Sequence, residues 1–361
     1  MPTVDPKQPI RVMVVDDSAY MRLTITRYLN DVPGIRVVGS ARDGQEALEL
    51  IDRFNPDVLT LDVEMPRLDG LSTLRRIMAE HPRPVIMLSS LTTEGASETI
   101  QALTLGAVEF VSKPNNKANV SAVMEDVAEK IRRAVQARVR PAALPPMESA
   151  APKAPRGNKP TRTMLRSDRI IVIGSSTGGP RALNTVVPEL PANLQAAVMI
   201  VQHMPAGFTH SLAERLDLIS PLRVKEAEPG DRPEIGKVLM APGGFHMMLN
   251  ENGEVALNQN PPVHGVRPAV DVTMASVVKY FGAATVGVIL TGMGNDGTNG
   301  CSLIHNAGGR VIAEAESTCV VYGMPRSVVE SRLADEIAPI GEIAQRIVQA
   351  SSMPIPMKTS R

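Results

Sequence analysis

The sequence predicts an α/β protein of two doubly wound domains in tandem, and three observations predict it. Short apolar runs alternate with amphipathic helical segments over residues 10–137, and again from Ile170 onward. These runs are near-continuous in Val, Ile and Leu, as in parallel strands buried on both faces. Between the two stretches, residues 138–168 lose all apolar period. A chain of 361 residues, 43% hydrophobic and 21% charged, suits two such domains.

Residues 8–137 form the first domain. Five strands are predicted at 10–15, 35–38, 58–61, 85–88 and 108–111, each followed by an amphipathic segment. The common sheet order for such a unit is 2-1-3-4-5, with ligand sites beyond the carboxyl ends of the strands. Residues 138–168 interleave Pro141, Pro145, Pro146, Pro152, Pro155 and Pro160 with Ala, Lys and Arg. They read as a semi-extended tether. Residues 169–352 form the second domain, mostly parallel α/β. Its strands are predicted at 170–173, 197–201, 238–240 and 286–290, and its helices at 268–280 and 300–307. The weaker segments 224–226, 245–249 and 254–257 read as a hairpin or edge strands. Residues 353–361 are polar and expected to be a disordered tail.

Lys+Arg 38 balances Asp+Glu 38, so no global basic field is available to hold nucleic acid. The positive charge sits in the tether, where residues 138–169 carry eight basic and two acidic side chains. Cys301 and Cys319 make neither a disulfide framework nor a metal-ligand spacing. The N-terminus lacks the apolar core of a signal peptide, and no apolar run approaches the roughly 20 residues of a membrane span. The expectation is a cytoplasmic, reduced, monomeric protein without membrane insertion.

Two constellations carry chemistry. Asp16 and Asp17 end the first predicted strand, Asp62 the third and Ser89 the fourth, and Lys113 follows the fifth. Carboxylates converging at one sheet edge repel unless a cation sits among them, and an all-oxygen set of this kind suits Mg²⁺. The second constellation begins at Gly174-Ser175-Ser176-Thr177-Gly178, directly after Ile170-Ile171-Val172-Ile173. A glycine-rich turn after a buried strand is either a nucleophile elbow or a phosphate cradle. A serine nucleophile needs a base with an orienting acid. His203 ends an apolar strand and so reaches the same sheet edge; His210, His246, His264 and His305 are the other histidines of this domain. Leu290-Thr291-Gly292-Met293-Gly294-Asn295-Asp296-Gly297 supplies the acid, Asp296, and a glycine-rich turn with Met293 and Gly294 as oxyanion-donor candidates. Spacing alone leaves phosphate binding, a satisfied core histidine and a plain turn open as alternatives.

Val14-Val15-Asp16-Asp17-Ser18, Leu61-Asp62-Val63-Glu64-Met65-Pro66, Leu88-Ser89-Ser90 and Val111-Ser112-Lys113-Pro114 resemble the flavodoxin-like receiver domain of two-component response regulators. The resemblance implies that Asp62 accepts a phosphoryl group from a chemotaxis histidine kinase. Asp16, Asp17, Asp62 and the backbone carbonyl of Glu64 would hold Mg²⁺. Ser89, Phe110 and Lys113 would form the receiver switch. Ile173-Gly174-Ser175-Ser176-Thr177-Gly178-Gly179, Gln202-His203-Met204-Pro205, the 290–297 run and Gly323-Met324-Pro325-Arg326 resemble the chemotaxis protein-glutamate methylesterase family, CheB. This implies Ser176 as nucleophile, His203 as base and Asp296 as its partner. The substrates would be glutamyl methyl esters and certain glutamines on the cytoplasmic helices of methyl-accepting chemoreceptors, with no cofactor for the esterase step. Ser175 stands where the family usually has Ala, and Gly265-Val266 precedes Arg267 where it usually has a polar or basic pair.

Two other outputs compete. A DNA-binding output requires a basic recognition helix after the tether, whereas residues 170–361 carry 14 basic and 17 acidic side chains and open with a strand and a glycine turn. A ligand-binding output would hold a nucleotide phosphate at the glycine turn, and methanol release separates it from an esterase. If the unphosphorylated receiver blocks the Ser176 cleft, deleting residues 1–137 raises basal esterase activity. An isolated 169–361 fragment no faster than the full chain counts against that occlusion.

Overall fold

In the computed structural model, which describes residues 8–89, 92–113, 120–139, 162–165 and 168–355, the chain divides into two units, Met1–Glu148 and Ser149–Arg361. The first unit is a five-stranded sheet of order β2-β1-β3-β4-β5. Its strands are β1 (Ile10–Val15), β2 (Ile35–Ala41), β3 (Val58–Asp62), β4 (Val85–Ser89) and β5 (Glu109–Ser112). All pairings are parallel, so every strand ends at the same edge. β3 and β4 are buried at every residue, which is why they read as near-continuous apolar runs.

The connecting helices are α1 (Ala19–Asp31), α2 (Gly44–Phe54), α3 (Gly70–Glu80), α4 (Thr93–Leu105) and α5 (Val120–Ala134). The first four start where a short polar side chain satisfies an orphan amide: Ser18, Asp43, Asp69 and Thr92 accept from Met21, Glu46, Ser72 and Gly95. Pro114 and Ser90 lie outside the described residues, as does most of the predicted tether.

The C-terminal end of that tether is structured, which corrects the boundary drawn at residue 168. β6 (Arg162–Thr163) pairs antiparallel with β10 (Glu234–Ile235), and Met164 packs on the hydrophobic core of the second unit. A two-residue pairing needs no apolar period, so the pattern carried no sign of it. Likewise Met353 and Pro354, assigned to a disordered tail, accept hydrogen bonds from the Arg169 guanidinium through their carbonyls (2.9 and 3.1 Å). Residues 356–361 lie outside the described residues.

The second unit holds β7 (Arg169–Ser175), α6 (Gly179–Val186), β8 (Ala196–Gln202), α7 (Phe208–Ile219), β9 (Arg223–Glu226), β11 (Lys237–Met240), β12 (His246–Leu249), β13 (Val255–Asn258), α8 (Val270–Phe281), β14 (Thr285–Ile289), α9 (Thr298–Asn306), β15 (Arg310–Glu314), α10 (Met324–Glu330), β16 (Glu336–Ala338) and α11 (Ile340–Ser352). Its main sheet runs β16-β15-β14-β7-β8-β11-β9, all parallel. Of the three weaker segments, 224–226 is a parallel edge strand, and the other two form the antiparallel hairpin β12–β13. β15 and β16 escaped the sequence reading because their apolar runs are only three and two residues long. The chain builds outward from β7 to β8 on one side and returns to β14 on the other. That reversal is the switch point at which α/β sheets open a crevice.

Among the described residues, no helix is long and apolar enough to cross a membrane.

Candidate functional sites

In the first unit, Asp16 and Asp62 meet Lys113 at the sheet edge. Lys113 Nζ lies 2.6 Å from Asp62 Oδ2 and 3.4 Å from Asp16 Oδ2. Asp17 joins them: one oxygen from each of the three carboxylates falls within 4.8 Å of the others, two of the residues buried and Asp17 exposed. Burial is the largest influence on Asp62. It pushes the carboxyl up to about 6 against the opposing pull of Lys113. Burial raises Asp16 too, again against Lys113. Burial alone would lower Lys113, but its contacts with Asp62 and Asp16 outweigh it and hold the ammonium above its ordinary value. One ammonium therefore does not offset three acids. Apart from the Lys113 ammonium, the buried Asp16 Oδ2 and Asp62 Oδ2 have no donor among the described residues. An all-oxygen set with spare lone pairs and excess negative charge fits a hard divalent cation.

Glu64 lies two residues beyond Asp62 and donates its N–H to Asp62 Oδ1 at 3.4 Å. Ser89, fully buried at the end of the neighbouring strand, donates its hydroxyl to the Gly95 carbonyl (3.0 Å). Phe110 is buried one strand further, with the Lys130 ammonium 5.3 Å from its ring centroid. A cleft of about 650 Å³ opens beside Asp17 and Glu64, lined also by Pro66, Arg75 and Glu98.

In the second unit, Ser176 follows β7, His203 follows β8 and Asp296 lies in the loop after β14. These are three adjacent strands of the sheet, β14 and β7 flanking the switch point and β8 next to β7. The register pairs Ser175 with Gln202, and the His203 N–H donates to the Ser175 carbonyl (3.1 Å), so Ser176 and His203 leave the sheet side by side. His203 Nε2 is 2.8 Å from Asp296 Oδ2, with side chains 9% and 3% exposed. Nε2 is thereby committed to the carboxylate, and Nδ1 is the ring nitrogen outside that contact. The Ser176 hydroxyl has no hydrogen-bond partner among the described residues. Ser175 is wholly buried and donates to Gln202 Oε1 (2.7 Å), which spends its hydroxyl on the strand end. His210 is set against Glu214 and Glu226, and His246 against the Pro261 carbonyl, so neither competes for Asp296.

Asp296 does more than face His203. Its Oδ2 accepts the Val270 N–H (2.7 Å) and its Oδ1 the Asp271 N–H (2.9 Å), capping α8, whose own N-cap residue, Ala269, offers no side chain for this. Burial on its own would raise the carboxyl. The His203 contact and the two amides win, and hold it below the usual carboxylate range. The anion is thus fixed in charge and in place. Gly174 permits the close approach: a Cβ there would stand 2.6 Å from Val270 Cγ1, pushing away the helix end that grips Asp296. Gly292 does the same for the serine, since a Cβ there would come 2.8 Å from Ser176 Cβ. The next two N–H groups, of Met293 and Gly294, have no hydrogen-bond partner among the described residues and so remain free to donate.

Three residues of this site were given no role by the sequence: Gln202, quoted only as the neighbour of His203 in the Gln202-His203-Met204-Pro205 run, Asp271 and Glu314. Glu314, 1% exposed at the end of β15, accepts the Thr291 N–H (2.8 Å) and the Thr318 hydroxyl (2.9 Å). Thr291 in turn accepts the Ser176 N–H through its carbonyl (3.0 Å). Glu314 thus stands at the root of both the serine turn and the glycine turn. Burial raises its carboxyl above the ordinary 4.5, outweighing the Thr291 and Thr318 bonds. A raised folded value means that stability is fully present below the unfolded value and is lost as pH rises through the folded one. Glu314→Gln therefore gains stability over the parent at pH 8 relative to pH 4. Glu314→Ala, which orphans the buried Thr291 N–H, costs about 1–3 kcal/mol. Thermal unfolding at both pH values checks this, and a Gln variant that loses ground as pH rises contradicts it.

Residues 171–347 match the CheB methylesterase family, and residues 12–125 match the response regulator receiver domain family. A protein-glutamate methylesterase/protein-glutamine glutaminase of Symbiobacterium thermophilum is 52% identical over 357 residues, covering 95% of this chain and 98% of that one. One of the same name from Archaeoglobus fulgidus is 45% identical over 344 residues, covering 94% and 97%. The crystal structure of the Thermotoga maritima CheB methylesterase catalytic domain is 49% identical, covers 51% of this chain and 98% of that one, and has a TM-score of 0.49.

Proposed function

This chain belongs to the protein-glutamate methylesterase/protein-glutamine glutaminase family, with a receiver domain ahead of its esterase domain, and from that premise we propose that Ser176, His203 and Asp296 perform its hydrolysis. The protein is a hydrolase of chemotaxis adaptation whose activity is under phosphorylation control. The observation that carries the residue assignment is the 2.8 Å His203–Asp296 contact beside a serine hydroxyl with no competing partner.

Ser176 Oγ attacks the γ-carbonyl carbon of a glutamyl methyl ester while His203 Nδ1 takes the hydroxyl proton. Asp296, held ionised, stabilises the resulting imidazolium and keeps the ring oriented. The Met293 and Gly294 N–H groups donate to the oxyanion; one such donor is worth roughly 100- to 1,000-fold in rate. The C–O bond to methoxide breaks, methanol leaves with the proton from His203, and a glutamyl ester on Ser176 remains. Water then attacks, giving its proton to His203, which returns it to Ser176 Oγ as glutamate departs. With a glutamine substrate the same steps release ammonia. The acyl chemistry is alike for both substrates and differs only in the leaving group.

In the receiver, Asp62 accepts the phosphoryl group of a histidine kinase. Receiver domains use Mg²⁺ for this step, and the ion neutralises charge around the transferring group. Asp16, Asp17, Asp62 and the Glu64 carbonyl would hold it. Lys113 then pairs with a phosphoryl oxygen, and Ser89 and Phe110 change partners around the new charge of about −1.5 to −2. Methyl-accepting chemoreceptor cytoplasmic helices are the proposed substrate. Methanol release from methylated receptor membranes, with and without a phosphodonor, tests the reading; no release under either condition overturns it.

A further inference from the structure

Beside Asp296 lies a second histidine–carboxylate pair that the hydrolytic steps do not use. Val263 and Val266 exchange both backbone hydrogen bonds (3.1 and 3.0 Å) around His264 and Gly265. Both central residues have positive φ, 53° and 76°, as in a two-residue hairpin turn. Positive φ is uncommon for a residue other than glycine, so a contact made by the histidine side chain helps to hold the turn. That contact is Asp271. His264 Nε2 lies 2.9 Å from Asp271 Oδ2, and one ligand atom each of His264, Asp271 and Asp296 fall within 4.8 Å of one another.

Asp271 occupies a structural crossing. Its Oδ1 accepts the Gly300 N–H of α9 (2.7 Å), its Oδ2 accepts from Asn299 Nδ2 (3.1 Å), and its own N–H donates to Asp296 Oδ1 (2.9 Å). The two helices are therefore capped reciprocally: Asp296, just ahead of α9, caps α8, and Asp271, in the first turn of α8, caps α9. Whatever fixes Asp271 fixes where Asp296 presents its oxygen to His203. The turn residue reaches that crossing from outside both helices, with its side chain 29% exposed.

We propose that His264 is a positioning residue of the esterase, clamping Asp271 so that the ends of α8 and α9 hold Asp296 against His203. This rests on the assignment of Ser176, His203 and Asp296 above. Asp271 keeps its Gly300 and Asn299 donors without His264, so the expected loss is partial. Misplacement of a catalytic group by about 1 Å costs up to roughly 100-fold. His264→Ala should lower kcat about 10-fold and leave KM within about twofold.

The test uses the full chain, with steady-state methanol release from methylated receptor membranes and a thermal melt of each variant. His264→Gln, whose side-chain N–H can still reach Asp271, should recover most of kcat; His264→Met, similar in size and without a donor, should not. An alanine variant with kcat at the parental level overturns the proposal, as does a rise in KM with kcat unchanged. Should the alanine variant not fold, equal kcat for the Gln and Met variants overturns it. Ser176→Ala is run alongside. Retained activity there refutes the underlying assignment, whereas an inactive Ser176→Ala with a fully active His264→Ala refutes only the clamp.

Discussion

Ser176→Ala will abolish methanol release, lowering kcat by about 10,000-fold or more, because without the nucleophile only binding and oxyanion stabilisation remain. Its fold should be unharmed, since the Ser176 hydroxyl makes no hydrogen bond among the described residues. Ser175→Ala should show the opposite profile. That hydroxyl is wholly buried and donates to Gln202 Oε1. Removing it leaves a buried acceptor unpaired and costs about 1–3 kcal/mol of stability, with kcat within about tenfold of the parent. The pair of variants is decisive because the serines are adjacent and differ only in which way the strand end turns them. An inactive Ser175→Ala beside an active Ser176→Ala would reverse the assignment.

Asp62→Asn will eliminate phosphoryl uptake and with it all stimulation of the esterase by a phosphodonor, while basal methanol release persists. The amide is isosteric but is no nucleophile toward phosphorus. It also removes one of the three carboxylates that gather within 4.8 Å. Asp16→Asn makes the control, because it leaves Asp62 in place and weakens only the oxygen set around it. That variant should require more Mg²⁺ for the same phosphoryl uptake. Radiolabel transfer from a phosphorylated kinase, titrated with Mg²⁺, reads both effects. Phosphoryl uptake by Asp62→Asn at the parental level would place the acceptor elsewhere.

Much of both sites was legible because strand ends are legible. Asp16, Asp62, Ser89, Lys113, Ser176 and His203 each sit at or just past the end of an apolar run. In a parallel sheet all such ends share one edge. What periodicity could not separate was which of two adjacent serines faces the crevice, since both fit within one turn. The roles of Asp271 and Glu314 were not legible for another reason: each acts on a backbone N–H. Glu314 meets Thr291 from 23 residues away, and Asp271 meets Gly300 from 29. A carboxylate that pairs with a distant amide leaves no pattern in its own neighbourhood. His264 is similar, for its value depends on a turn that brings it back to Asp271.

The amino-acid sequence by itself determined the two α/β domains, the βα alternation that sets every strand end at one edge, and the residues carried to that edge. These follow from local chemistry, namely apolar period, glycine at tight turns and carboxylates after strands. Only the tertiary structure decided the seven-stranded order β16-β15-β14-β7-β8-β11-β9, and with it the meeting of His203 and Asp296 across 93 residues. It also decided the burial of Ser175 and the reciprocal capping of α8 and α9 by Asp296 and Asp271. The physical reason is common to all of these. Strand order, burial and capping in trans are set by which distant segments pack together, and packing energies between segments are not written in the period of either segment alone.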